Sequence, residues 1–138
     1  MLVPKKSKYR KAHRSRGGLS GVAQNGSKVS FGRFGMKATS RGEVTSRQIE
    51  SARRTITRFL KRAGKLWIRI FPHRPITKKA AEVPMGSGKG SVEFYVFPTL
   101  PGKIIFEIDG VSEEMAKKAF KLAGYKLSIQ TKFIVRDF

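Results

Sequence analysis

The sequence has no cysteine and only two histidines, His13 and His73, in unrelated contexts. The missing thiols exclude a disulfide framework, a thiolate zinc finger and a cysteine nucleophile. No apolar run approaches the roughly 20 residues that span a bilayer, and Met1-Leu2-Val3-Pro4-Lys5-Lys6 lacks the apolar stretch of a secretory signal. Residues 1–28 are acid-free and basic, as organellar transit peptides are, but Pro4 and the glycines at 17, 18, 21 and 26 spoil an amphipathic helix. Acids are scarce everywhere: 9 against 30 lysines and arginines, a formal charge of +21 in 138 residues. Such a charge repels itself unless a polyanion lies close by. Nucleic acid is the usual one, and an anionic membrane is second.

What is present is enough for a core. Hydrophobic residues make up 39% and aromatics 10% of the chain, so it is not wholly disordered. The length fits one domain with a tail to spare. The charge is unevenly spread. Residues 1–81 hold 22 basic residues and two acids, Glu43 and Glu50, whereas residues 82–138 hold 8 basic residues and 7 acids. A block of one sign marks an interaction surface or a tail.

Residues 1–28 read as a basic extension, and residues 29–138 as a single domain. Lys5, Lys6, Lys8, Arg10, Lys11, Arg14 and Arg16 are interleaved with Tyr9 and His13. With few large apolar side chains, this arm is expected to order on a partner, to neutralise phosphates, and to lack core contacts of its own. A solubilising tail is the plainer reading. Residues 29–38 alternate with period two and predict a strand or hairpin, with Val29, Phe31, Phe34 and Met36 on a buried face.

Thr45-Ser46-Arg47-Gln48 is a capping box that opens a helix expected to run to about Ala63, with Gly64 just past its end. Ile49, Ala52, Ile56, Phe59, Leu60 and Ala63 form one apolar stripe. Arg47, Arg54, Arg58, Lys61, Arg62 and Lys65 fall largely off it, with Arg53 at its edge. Only Glu50 offers an ion-pair partner within the helix, so the face reads as a phosphate surface rather than a solvated one. Lys65–Phe71 predicts a strand ended by Pro72-His73-Arg74-Pro75. Strands follow at 91–97, 103–108 and 128–135, with a turn at 98–102. A second helix is capped by Ser112, and its apolar face is read as Met115, Ala119, Phe120, Leu122 and Ala123.

The glycine-rich segment 84–91 lacks the spacing of a nucleotide-binding loop. Its glycines permit either close backbone approach to a partner or a flexible turn. No catalytic set emerges. Glu113 and Glu114 diverge on a helix, and Glu107 and Asp109 share a strand face but read as ordinary strand-end carboxylates. No metal, cofactor or catalytic residue is expected.

Several segments together resemble a known family. They are Pro4-Lys5 through Arg16; Val29-Ser30-Phe31-Gly32 with Phe34-Gly35; and Thr45-Ser46-Arg47-Gln48-Ile49-Glu50 with Ala52-Arg53-Arg54. They continue through Gly64-Lys65-Leu66-Trp67-Ile68-Arg69-Ile70-Phe71-Pro72, Pro75-Ile76-Thr77, Met85-Gly86-Ser87-Gly88-Lys89-Gly90 and Gly102-Lys103 to Asp109-Gly110-Val111. Over essentially its whole length the chain resembles bacterial large-subunit ribosomal protein sixteen, whose family includes archaeal and eukaryotic ribosomal protein ten-e. The resemblance implies an α+β fold: a two-layer α/β sandwich with a β-hammerhead-like insertion and two main helices packed on a mixed or antiparallel sheet.

It also implies a non-enzymatic, structural role on the large subunit, in the cytoplasm or in an organelle. The expected partners are large-subunit ribosomal RNA beside the aminoacyl-tRNA site and peptidyl-transferase centre, aminoacyl-site tRNA, and neighbouring ribosomal proteins, with no membrane and no homo-oligomer. The residues expected on ribosomal RNA are Lys5, Lys6, Lys8, Arg10, Lys11, His13, Arg14, Arg16, Arg47, Arg54, Arg58, Lys61, Arg62 and Lys65. By the same resemblance Met85, Gly86, Gly88 and Lys89 lie near the tRNA path. The family usually carries an arginine where Pro84 stands and often a lysine where Ser87 stands, so this loop tip has lost charge. The alternative is a free-standing basic binder of nucleic acid or anionic membrane.

Overall fold

The computed structural model describes residues 1–14 and 19–137. It contains two helices and two antiparallel sheets. In chain order the elements are β1 (Phe34–Ala38), β2 (Gly42–Thr45), α1 (Ser46–Phe59), β3 (Lys65–Ile68), β4 (Arg74–Lys78), β5 (Ser91–Thr99), β6 (Ile104–Asp109), α2 (Glu113–Gly124) and β7 (Thr131–Val135). The four-stranded sheet has the order β3-β6-β1-β7, and the three-stranded sheet the order β2-β5-β4. Every pairing is antiparallel, so no strand is mixed in direction.

The core lies between the helices and the larger sheet. Ile49, Ala52, Ile56 and Leu60 from the first helix meet Phe34, Met36, Phe106, Ile108, Ala116, Ala119, Phe120 and Ala123. In β6, Ile104 to Ile108 are all fully buried, which is why this strand reads as a near-continuous apolar run.

The capping box forms as expected. Gln48 N–H donates to Thr45 Oγ1 at 3.1 Å, and Thr45 N–H donates to Gln48 Oε1 at 3.1 Å. Helix α1 ends sooner than expected, at Phe59 rather than near Ala63. Leu60 is buried, and the chain then turns through two left-handed residues, Lys61 (φ 51°) and Arg62 (φ 65°), the Arg62 N–H returning to the Thr57 carbonyl at 3.2 Å. Gly64 does not cap the helix. It leads into β3, where a β-carbon would lie 2.5 Å from the Asp109 carbonyl oxygen.

Other expectations are corrected. The buried stripe of α2 is Ala116, Ala119, Phe120 and Ala123; Met115 and Leu122 are exposed. The i, i+3, i+4, i+7 spacing is obeyed, but by three alanines and Phe120, the alanines leaving room for α1. β4 begins at Arg74, where a terminator was read. Pro75 is tolerated because β4 is an edge strand. β5 runs on through Pro98 to Thr99; Pro98 lies beyond the last β4 pairing at Arg74↔Val96 and stands opposite Glu43 of β2. The strand at 65–71 is shorter, ending at Ile68, and that at 128–135 begins at Thr131.

Phe31, expected inside, is 56% exposed, although Val29, Phe34 and Met36 are buried. The basic extension is not without core contacts: Leu2 packs against the core cluster. Its later part is hydrogen-bonded to the body, Ala23 N–H to the Pro101 carbonyl at 2.8 Å and Ile104 N–H to the Gly26 carbonyl at 2.9 Å.

Candidate nucleic-acid interface

Helix α1 buries one side and presents cations on the other. Arg47, Arg54, Arg58, Lys61 and Arg62 are all exposed. Two shallow hollows follow this face, one lined by Arg53, Arg54, Thr57, Arg58, Lys61 and Arg62, the other including Met1, Arg47, Arg54, Arg58 and Lys126. The left-handed turn fans Lys61 and Arg62 out at the end of the helix. Guanidinium groups in such a row match phosphate oxygens through paired N–H donors.

Among the described residues, Glu50 is the one carboxylate on this face. Its hydrogen bond to Arg53, reinforced by Arg54 and resisted by burial, holds its carboxyl at about 2 against an ordinary 4.5. It lies 3.0 Å from Arg54 Nε. Arg53 and Arg54 are thus partly neutralised within the chain. Among the described residues, Arg47, Arg58, Lys61 and Arg62 have no carboxylate at ion-pair distance.

The arm and the glycine-rich loop are brought together. Lys11 Nζ donates to the Lys89 carbonyl at 3.0 Å, and Lys89 Nζ donates to the Ala12 carbonyl at 2.6 Å. Lys5, Lys6, Lys8, Arg10 and His13 are exposed. His13 and His73 line one surface hollow with Tyr9 and Arg74. Arg14 is ion-paired to Glu43, which reduces the charge it can offer a partner. Arg16 lies outside the described residues.

The loop joins β4 to β5. Gly86, Ser87 and Gly88 all have positive φ, at 106°, 61° and 107°. Nothing lies within 4 Å of where a β-carbon on Gly86 or Gly88 would point. These glycines serve the backbone path and leave it open to solvent. Met85 is 95% exposed. Lys65 is exposed too, with its Nζ 5.2 Å from the Trp67 ring centroid.

The sequence reading missed a buried anchor. Glu107 is fully buried, and its Oε1 accepts three consecutive N–H groups, from Ser30 at 2.9 Å, Phe31 at 2.8 Å and Gly32 at 3.0 Å. Its Oε2 takes the Arg69 guanidinium. Burial pushes this carboxyl up, but the Gly32 N–H, Arg69 and the other two N–H groups outweigh it, so its pKa lies below the ordinary range. It is a structural carboxylate rather than a strand-end charge. Its partners lie more than 35 residues away in sequence, which is why spacing did not reveal them. No cluster of three or more potential metal ligands occurs among the described residues. No helix among them is long and apolar enough to cross a membrane.

Comparison with known proteins settles the family. A family model described as Ribosomal protein L16p/L10e matches residues 4–134. The chain belongs to the L16p/L10e ribosomal protein family. The large ribosomal subunit protein uL16 of Aeromonas hydrophila is 57% identical over 136 residues, covering 99% of this chain and 98% of that protein. Proteins of the same name from Stenotrophomonas maltophilia and Xanthomonas oryzae pv. oryzae are each 56% identical over the same span. As an L16p/L10e member the chain is a structural ribosomal protein, not an enzyme.

Proposed function

We propose that this chain is a constituent of the large ribosomal subunit. In this reading it binds large-subunit ribosomal RNA beside the aminoacyl-tRNA site and peptidyl-transferase centre, supports tRNA positioning, and joins late in subunit assembly on a cytoplasmic ribosome. The observation that carries the reading is the outer face of α1, where Arg47, Arg58, Lys61 and Arg62 stand without carboxylate partners among the described residues. A cationic row of this kind is stabilised when phosphates displace its counterions.

The basic arm, with Lys5, Lys6, Lys8, Arg10, Lys11, His13 and Arg16, extends the RNA surface. Arg54 and Lys65 contribute at its margins, and Arg14 contributes least because of Glu43. The body, residues 29–138, is the RNA-binding domain, and its three-stranded sheet is the hammerhead-like insertion on a two-layer sandwich. The tip at Met85, Gly86, Gly88 and Lys89 faces the tRNA path. Pro84 and Ser87 leave that contact to open backbone and to Lys89. Neighbouring ribosomal proteins complete the setting.

The absence of cysteine makes the test clean. Single variants Arg58→Cys, Ser87→Cys and Lys117→Cys, each carrying a tethered hydroxyl-radical source, are assembled into large subunits. Cleavage from position 58 in ribosomal RNA, and from position 87 next to the aminoacyl site, supports the reading. Strong cleavage from 117 alone, or failure of the chain to enter subunits, contradicts it.

A further inference from the structure

The basic helix does not account for the aromatic pair at the edge of the larger sheet. Phe31 and Trp67 are stacked, with centroids 6.2 Å apart and planes 20° from parallel. Phe31 is 56% exposed, although its spacing places it in an apolar slot. An exposed aromatic on a mobile loop would mean little, but this loop is fixed. Three successive N–H groups, of Ser30, Phe31 and Gly32, converge on the buried Glu107 carboxylate. Gly32 sits so tightly that a β-carbon would lie 2.7 Å from the Ile108 carbonyl oxygen and 3.1 Å from Trp67 Cζ3. Its backbone cannot move inward without breaking these contacts, so the Phe31 ring is held outward by the fold.

Cations lie over both rings. The Arg69 guanidinium carbon is 4.9 Å from the Phe31 centroid, its charge answered by Glu107, and the exposed Lys65 has its Nζ 5.2 Å from the Trp67 centroid. A flat apolar ring flanked by positive charge matches a ligand with flat faces and a negative backbone. That is single-stranded nucleic acid, whose unpaired bases stack on aromatic rings while its phosphates meet exposed cations such as Lys65. Because the ring is already placed, little ordering entropy is lost when a base lands on it.

We propose that Phe31, backed by Trp67 and fixed by Glu107 and Arg69, is a stacking platform for one unpaired base of ribosomal RNA, a site that rests on the RNA-binding reading above. The full-length chain and its Phe31→Ala, Phe31→Leu and Phe31→Trp variants are titrated with large-subunit ribosomal RNA across a salt series. They are titrated in parallel with a short unstructured RNA carrying one fluorescent aminopurine base. Phe31→Ala is expected to weaken binding about tenfold with the salt slope unchanged, because a stacked base and not a phosphate contact is lost. Aminopurine quenching should vanish with it, return in Phe31→Trp and stay absent in Phe31→Leu, all at unchanged melting temperature. Binding that Phe31→Ala leaves intact, or that Phe31→Leu supports as well as the native ring, overturns the platform alone. Failure of the native chain to bind either RNA overturns the parent reading and the platform with it.

Discussion

The two helices lie against each other and share one core, yet they face solvent differently. α1 shows Arg47, Arg54 and Arg58, continued by Lys61 and Arg62 in the turn that follows, with Glu50 as the helix's only acid. α2 shows Lys117, Lys118 and Lys121 alongside Glu113 and Glu114, and its Lys118 lies 3.4 Å from Glu114. α2 is an ordinary surface helix that balances its own charge. α1 leaves most of its charge unanswered, and that imbalance, rather than the number of cations, marks the interface. Packing divides in a similar way: α1 brings isoleucines to the core, and α2 brings three alanines that permit close approach, with Phe120 as its one large core side chain.

The packing contrast predicts the largest effects. Ile56→Ala opens a cavity in the core and should cost about 2–5 kcal/mol in denaturant unfolding. Ala119→Leu overfills the contact between the helices and should cost about 1–3 kcal/mol. Equal tolerance of both changes would break the assignment of bulk to α1 and closeness to α2. The caps sharpen the contrast on a smaller scale. Thr45→Ala removes one arm of a reciprocal box and should cost about 1 kcal/mol. Ser112→Ala removes a single bond of 3.3 Å and should cost less in the same unfolding assay.

The smallest effect is in pH. The Glu50 carboxyl is depressed, so its contribution to stability is present above the ordinary value of 4.5 and is lost as pH falls towards about 2. Thermal unfolding followed between those limits should fall more steeply for the native chain than for Glu50→Gln.

Local chemistry was legible in the sequence; distant chemistry was not. The capping box and the Ile49–Ile56 stripe depend on residues within two turns of one another, so spacing alone reveals them. The basic face was legible as an excess of one sign, and Glu50 as its only partner. The α2 stripe was misread because large Met115 and Leu122 outweighed small Ala116. β4 was hidden by prolines that only an edge position excuses. The exposure of Phe31 is set by Glu107, 76 residues away, and no local pattern encodes it. The loop at 84–91 was legible as backbone freedom, but its contact with the arm through Lys11 and Lys89 depends on a fold that brings residues 78 apart together.

The central claim is that the outer face of α1, and not that of α2, carries the phosphate contacts. It is tested most directly by the salt dependence of binding to large-subunit ribosomal RNA. Replacing Arg47, Arg58 and Arg62 together with Ala should flatten the slope of log affinity against log salt by about three units, while replacing Lys117, Lys118 and Lys121 together should change it by less than about one. Equal slopes for the two triple variants, or a larger loss from α2, would contradict the account.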